Sequence, residues 1–517
     1  MLTGPESKRI WLVAAENDAL PKGKVGGVGD VVRDLPIALA GLGLDVSVIT
    51  PSYGMFHKLP GARLFRKVRV KFAGRSYVAH IHTVAVADSP VEYFVIEHPL
   101  LSPEGPGQIY VSDGPGNPFA IDSAKFAFFN AAIAAWVNSS ETPPDVLHLN
   151  DWHTGLVPAL RQFGDPDAPL RKVRIVFTIH NLAYQGVRPF RGHPSSLETW
   201  FPDLLQHEDE LKDPRYENCV NFMVSAIRLA DGINTVSPNY AMEIQRPSDP
   251  STGFSGGEGL EMELGKAYSE GRLSGIINGC MYPQNPDPAP GWGELLQLIA
   301  RQPEIINASQ PAAEWIEDRQ DRRPRNLLLS IGRVVDQKVP LFLEPVDGHS
   351  TALEAILSAL GPDSLFIMLG SGEKGFEDRF AEIAHSCNNF LYLRGYVDSF
   401  SDPLYSIADL FLMPSSFEPC GISQMLAMRA GQPCAVHAVG GLKDTVSDGI
   451  TGFVFSGSSP EEQAENFVSC VQRACAIKQE HPSLWQEICS NAASQRFSWP
   501  DAATTYLETL YDENQLK

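Results

Sequence analysis

The chain has 517 residues, too many for one domain and comfortable for two or three, and its 43% hydrophobic and 20% charged content excludes a disordered protein. Forty-one basic against sixty-two acidic residues give a net charge of −21. That excludes a general nucleic-acid coat and disfavours an anionic membrane surface, but leaves room for a local basic pocket that takes an anionic small ligand.

Met1 to Arg9 is polar and reads as no signal peptide, and the most apolar run, Phe126 to Val137, reads as too short to cross a bilayer. None of the eight Cys precedes Cys219 and no CxxC occurs, so a reduced, cytoplasmic protein without a zinc site is expected. Arg9 to Glu16 is an apolar run suited to a strand buried on both faces. The Gly-rich turn Lys24-Val-Gly-Gly-Val-Gly-Asp30 follows, then a helical pattern over Val31–Leu42 and a second strand over Leu44–Thr50, which together make a βαβ opening. Lys67–Phe72 and Tyr77–His82 alternate as half-exposed antiparallel strands do, predicting a β-meander inserted over 67–97. Buried strands resume at Val146–His148, Val173–Thr178 and Gly232–Val236.

A Pro-rich and then charged stretch, Pro283 to Asn326, breaks the pattern. A second βα series then begins, with strands at Asn326–Ile331, Asp363–Leu369, Phe390–Leu393, Leu410–Met413 and Cys434–Val436. Helices are predicted at Thr351–Leu360, Arg379–Cys387 and Gln424–Ala430, and an amphipathic segment at Pro500–Glu513. The expected architecture is α/β, two doubly wound Rossmann-like domains facing a cleft. The boundaries read as 1–285, a linker at 286–325, 326–498, and a terminal helix at 499–517.

Chemistry-bearing residues gather at predicted strand ends, where ligands bind in open α/β sheets. Gly26, Gly27 and Gly29 allow close approach to the first turn, and Lys24 with a helix N-terminus favours phosphate there, although a purely structural Gly turn reads equally well. Asn150-Asp-Trp-His153 and His180-Asn-Leu-Ala-Tyr-Gln185 each end a strand. Arg333 and Lys338 put two cations after the first strand of the second series, against the default of a solvated surface pair. Phe417-Glu-Pro-Cys-Gly-Ile-Ser-Gln424 sets Glu418 on a rigid turn beside backbone amides, a combination that suits sugar hydroxyls, or alternatively caps a helix. Gly440-Gly-Leu-Lys-Asp-Thr445 is a second Gly turn opening a helix, suited to a diphosphate.

With these motifs placed, the chain resembles the bacterial glycogen synthase and plant starch synthase family of retaining GT-B glucosyltransferases. The matching stretches, in family order, are Lys24–Asp30, Asn150–Gly155, Thr178–Gly186, Asn234–Pro238, Gly271–Gly279, Gly332–Lys338, Phe417–Gly421, Gly440–Val446 and Phe497–Trp499. The resemblance implies that ADP-glucose is the donor and an α-1,4-glucan the acceptor, with no cofactor, metal, nucleic acid or membrane. It implies catalytic roles for Glu418, Arg333, Lys338 and His180. Arg333 and Lys338 would hold the diphosphate, and Lys24 with Gly26, Gly27 and Asp30 of its turn would meet the donor. Glu418 and the backbone of Cys420, Gly421 and Ile422 would bind the transferred glucose, which Asn278 would also face. His180 would lie at the reacting face. Asp151, His153, Asn181 and Gln185 would line the cleft toward the acceptor, and Gly441 and Thr445 would join the substrate site.

Leu426 stands eight residues after Glu418, so no second carboxylate supports double displacement, and same-face attack is favoured. The only DxD, Asp165-Pro-Asp167, reads as a solvated loop. The chain departs from the family pattern at Cys280-Met281, at Val224 where a Lys is usual, and in the 283–325 stretch. A small-acceptor GT-B enzyme and a non-catalytic glucan-binding homologue are the alternatives to a glucan-elongating synthase.

Overall fold

The computed structural model describes residues 7–114, 119–283, 288–302, 319, 322–395 and 398–512. Two sheets organise it. The first contains β1 (Arg9–Val13), β2 (Asp45–Pro51), β3 (Arg63–Phe72), β4 (Arg75–Val84), β5 (Glu92–Glu97), β6 (Val146–Asn150), β7 (Arg174–Ile179), β10 (Gly232–Thr235) and β11 (Leu273–Gly275), and a small ladder pairs β8 (Val187–Pro189) with β9 (Cys219–Asn221). Its order is β11-β10-β7-β6-β1-β2-β5-β4-β3. The expected meander forms the edge of this sheet: β5 runs antiparallel to β4 and parallel to β2, which joins the insertion to the main sheet. The second sheet is wholly parallel. It contains β12 (Leu327–Ile331), β13 (Leu365–Gly370), β14 (Phe390–Arg394), β15 (Leu410–Met413), β16 (Cys434–His437) and β17 (Gly452–Phe455), in the order β14-β13-β12-β15-β16-β17. These short strands are nearly all buried, as expected of parallel strands covered by helices on both faces.

Both strand orders reverse direction at a switch point, at β1/β6 in the first sheet and at β12/β15 in the second. The turns after these four strands carry Glu16, Asp151, Arg333 and Glu418. Helix α1 (Gly27–Gly41) starts inside the Gly-rich turn, four residues earlier than the apolar pattern suggested, because Gly26 already adopts the extended N-cap conformation. The apolar run at 126–137 belongs to a longer helix, α2 (Ala120–Asn138), whose 19 residues are long and apolar enough to span a bilayer by length and composition; what marks it as a core helix is that 78% of its apolar window is buried.

The stretch read as a linker holds a helix, Trp292–Ala300, whose Trp292, Leu295, Leu296 and Ile299 are buried with the second sheet's core. Most of the rest of that stretch lies outside the described residues. At the other end, the helix Trp499–Tyr506 and the π-helical turn Leu507–Tyr511 return to the first sheet. There Asn234 donates to the Tyr506 hydroxyl at 2.7 Å, the Tyr511 hydroxyl lies 2.7 Å from His148 Nδ1, and Arg174 donates to the Leu510 carbonyl.

Candidate active site

A cavity of about 600 Å³ lies between the two sheets and is lined from both. Its first wall includes Gly26, Gly27, Asp30, Asp151, His153, His180, Asn181 and Asn278; its second includes Arg333, Lys338, Glu418, Cys420, Gly421 and Ile422. Residues more than 390 positions apart in the chain thus share one space because nearly all of them follow the C-terminal end of a strand, most of them at the two switch points.

On the second wall, Glu418 is 5% exposed, accepts from the Ser415 hydroxyl at 3.1 Å and pairs with Lys338. Glycines hold this turn in place. Gly440 has φ +42 and a Cβ there would overlap the Glu418 carbonyl, while one on Gly441 would overlap the Cys420 carbonyl. Gly441 N–H also donates to the Glu418 carbonyl at 3.0 Å. From the first half, the Ser237 hydroxyl donates to the Pro419 carbonyl at 2.6 Å, so the Glu418 turn is braced by both halves. Arg333 is exposed to the cavity and has no ion-pair partner among the described residues.

On the first wall, burial pushes the Asp151 carboxyl up to about 7, even though it accepts the His180 amide at 2.8 Å. Asp151 has φ 55 and ψ 177, a conformation costly for any residue but glycine and of the kind that clusters at functional sites. Burial drives His180 and His153 down to about 3, so both rings are neutral. Asn150 Nδ2 donates to the Val13 carbonyl, which leaves its Oδ1 facing His180 Nε2 at 2.9 Å. His180 Nε2 therefore carries the proton and Nδ1 the lone pair. Asn278 Oδ1 is buried with no hydrogen-bond partner.

Several sequence expectations are corrected. In the turn read as favouring phosphate, the Val25 and Gly26 amides bond the Glu16 carboxylate at 2.7 and 2.6 Å, and Tyr110 donates to the same carboxylate. Lys24 does not line the cavity; its ammonium is bonded to Asp30 at 2.7 Å with Asp18 at 4.0 Å. Gln185 is also outside. Its amide donates to the Leu182 and Glu258 carbonyls and its carbonyl accepts from Arg215 and Asn221, a saturated structural role.

Gly441 and Thr445 are buried behind the Glu418 turn, and the Gly440 amide expected to meet a diphosphate donates to Glu243 of the first half at 2.9 Å. Val224 is fully buried in the first core, so the cation missing there is missing from the core side of a helix and not from the cavity. Asp165 and Asp167 are exposed and away from the cavity.

The expected basic pocket is one-sided. Among the described residues the first wall carries Glu16, Asp30, Asp122 and Asp151 and no Lys or Arg; both cations stand on the second wall. Sequence reasoning gave no role to Glu16, Tyr110, Phe119, Trp152, Tyr184 or Gln337, all of which line the cavity. For Glu16 a signal existed, a carboxylate directly after a buried strand that ends at a switch point.

Residues 9–265 match the starch synthase catalytic domain family and residues 313–474 the glycosyl transferases group 1 family. The chain is 33% identical over 513 residues to a glycogen synthase of Anaeromyxobacter sp. (strain Fw109-5), covering 97% of this chain and 98% of that protein. It is 32% identical over 520 residues to a glycogen synthase of Streptococcus equi subsp. equi (strain 4047), with the same coverage. Among solved structures, the catalytic domain of starch synthase IV from Arabidopsis thaliana, bound to ADP and acarbose, superposes with a TM-score of 0.77 at 28% identity over 98% of both chains. Sucrose-phosphate synthase from Thermosynechococcus elongatus shares the fold, with a TM-score of 0.52 at 17% identity over 97% of this chain and 98% of that one. Similarity of this extent, carried through both sheets, means that the chain belongs to the glycogen synthase and starch synthase family of GT-B glycosyltransferases.

Proposed function

We propose that the chain transfers glucose from ADP-glucose to the non-reducing end of an α-1,4-glucan with retention of configuration. The observation that carries this is the division of charge between the two walls: cations and Glu418 on one, uncharged and acidic polar groups on the other. A sugar diphosphate fits the second wall, with Arg333 and Lys338 on its phosphates and Glu418 on its glucose hydroxyls. The amides that open α1 at Gly27 and Val28 suit a phosphate oxygen from the facing side.

As the glycosidic bond breaks, charge grows on the departing phosphate, and fixed cations favour that state over the ground state. The departing phosphate takes the proton of the attacking hydroxyl on the same face of the sugar. His180, neutral with Nε2 committed to Asn150, presents an uncharged surface to the sugar, and Asn278 Oδ1 offers an acceptor to one of its hydroxyls. Asp151 and Asn181 suit the acceptor's hydroxyls. On this account residues 1–285 are the acceptor side, 326–498 the donor side, and 499–517 a return to the first, in a chain that works reduced, in the cytoplasm, without a cofactor.

The test offers labelled ADP-, UDP- and GDP-glucose, each with glycogen, maltotriose or no acceptor. Label from ADP-glucose in ethanol-precipitable polymer supports the proposal. Label confined to small products, or glucan retention without transfer, overturns it. A glucosyl adduct on Glu418 trapped for mass spectrometry overturns the same-face route.

A further inference from the structure

The outer edge of the first sheet carries a charge opposite to that of the chain as a whole. No Asp or Glu occurs between Asp45 and Asp88, while seven Lys and Arg stand from Lys58 to Arg75. With a net charge of −21 overall, the rest of the chain is more acidic still. Lys58, Arg63, Lys67, Arg69, Lys71 and Arg75 are exposed, and none has an ion-pair partner among the described residues. The seventh, Arg66, donates to the Ser139 carbonyl just past α2.

Strand β3 is last in the strand order, so its outer N–H and C=O groups have no strand beside them among the described residues. Its side chains alternate. Val68, Val70 and Phe72 are buried, with the Phe72 ring 5.4 Å from that of Phe128 on α2. Lys67, Arg69 and Lys71 take the other face, across from His80, Val78 and Ser76 of β4. Val78 is 49% exposed, so this face is open to solvent there. The carboxylate in the same cross-strand row, Glu97 of β5, is held by His57 at 3.0 Å. The register shifts between Leu64 and Arg66, which leaves Arg66–Phe72 as a regular open edge about 23 Å long.

Cations on an edge strand block pairing with a second copy, because a β3–β3 pair brings like charges together. The same row attracts a strand whose carboxylates alternate in step with it. A long polyanion fits less well, since duplex nucleic acid or an anionic bilayer extends past the edge onto acidic surface. We infer that β3 is the docking edge for an extended acidic segment of a partner protein, which adds to the first sheet as a further strand and sets Asp or Glu against Lys67, Arg69 and Lys71. None of these three residues lines the cavity, and the docking edge does not depend on the transfer reaction proposed above.

Binding to the full chain is read by fluorescence anisotropy with a labelled decapeptide of alternating Glu and Val. Its isomer with the glutamates grouped at one end carries the same charge, and short duplex DNA and phosphatidylglycerol vesicles serve as the other polyanions. The alternating peptide is expected to bind about tenfold tighter than the grouped isomer, and more weakly as salt rises. The triple variant Lys67→Gln, Arg69→Gln, Lys71→Gln weakens that binding about tenfold or more, as does Lys67→Glu, Arg69→Glu, Lys71→Glu, with Tm, kcat and KM for transfer unchanged. No binding of the alternating peptide, equal binding of the two isomers, or binding that survives in both variants overturns the docking edge. Duplex DNA or vesicles bound more tightly than the peptide through the same three residues also overturn it, as does a wild-type dimer that both variants dissolve in size-exclusion chromatography.

Discussion

Replacing Lys338 with Met tests the wall proposed to face the donor. The Lys338 and Glu418 side chains are 19% and 7% exposed and form an ion pair. Without the ammonium, the Glu418 carboxylate keeps the Ser415 hydroxyl as its one remaining side-chain partner among the described residues. Breaking one side of a buried pair costs about 3–5 kcal/mol, and the partial exposure of Lys338 puts the loss near the lower end, about 3 kcal/mol. In a cooperative unit of roughly 150–250 residues, the size of the second half, each kcal/mol moves Tm by about 2–4 °C, so its transition falls by about 6–12 °C. Glu418→Gln costs less, about 1–2 kcal/mol, because the ammonium left behind can turn to water. The double variant recovers part of the loss, with a coupling of about 1.5 kcal/mol or more. Thermal unfolding of the four proteins, with and without ADP, reads these values, and transfer assays run on the same samples. Additivity of the two substitutions within about 0.5 kcal/mol, or an unchanged Tm in Lys338→Met, refutes the reasoning.

Asp151 makes stability depend on pH. Below about pH 4 the folded and unfolded states are both protonated and its burial costs nothing; between pH 4 and about 7 only the unfolded state loses the proton, so stability falls, and above 7 the full cost, on the order of 3–4 kcal/mol, is present. Asp151→Asn is therefore expected to raise Tm at pH 8 and leave it unchanged at pH 4, and to remove an ionisation near neutral pH from the kcat/KM profile. Tyr511→Phe leaves His148 Nδ1 without its partner and is expected to cost about 1–2 kcal/mol by denaturant unfolding, with the donor KM unaltered. Gln185→Ala strips four hydrogen bonds from the loop that joins Leu182, Glu258, Arg215 and Asn221; a loss of stability of about 2 kcal/mol or more is expected, again with the donor KM unaltered, and a selective rise in KM would return Gln185 to the substrate site.

The parallel strands were legible because strands buried on both faces are written as short apolar runs, and Arg9–Val13 and Leu365–Gly370 show this directly. The strand-end motifs were legible because ligand sites in such sheets gather there, which brought Asp151, His180, Arg333 and Glu418 into one cavity. What escaped was pairing. Whether a glycine amide meets a ligand or an internal carboxylate depends on Glu16, nine and ten residues upstream of the amides it binds. Whether Lys24 reaches a phosphate depends on Asp30, one turn into the next helix. Gln185 was drawn into a network by Arg215 and Asn221, both of which lie far along the chain. One helix of the 286–325 stretch escaped for another reason: Trp292–Ala300 is short and sits between Pro-rich and charged segments, so its buried apolar face was hidden by its neighbours.

The most direct measurement follows the anomeric proton of the new linkage by NMR, with ADP release counted in the same tube, using α-ADP-glucose and maltoheptaose. One α-1,4-linked glucosyl unit per ADP, lost in Glu418→Gln, is expected. A β-linked product, or ADP released with free glucose alone, would contradict the proposed transfer across the cavity, with the phosphates on one wall and the acceptor on the other.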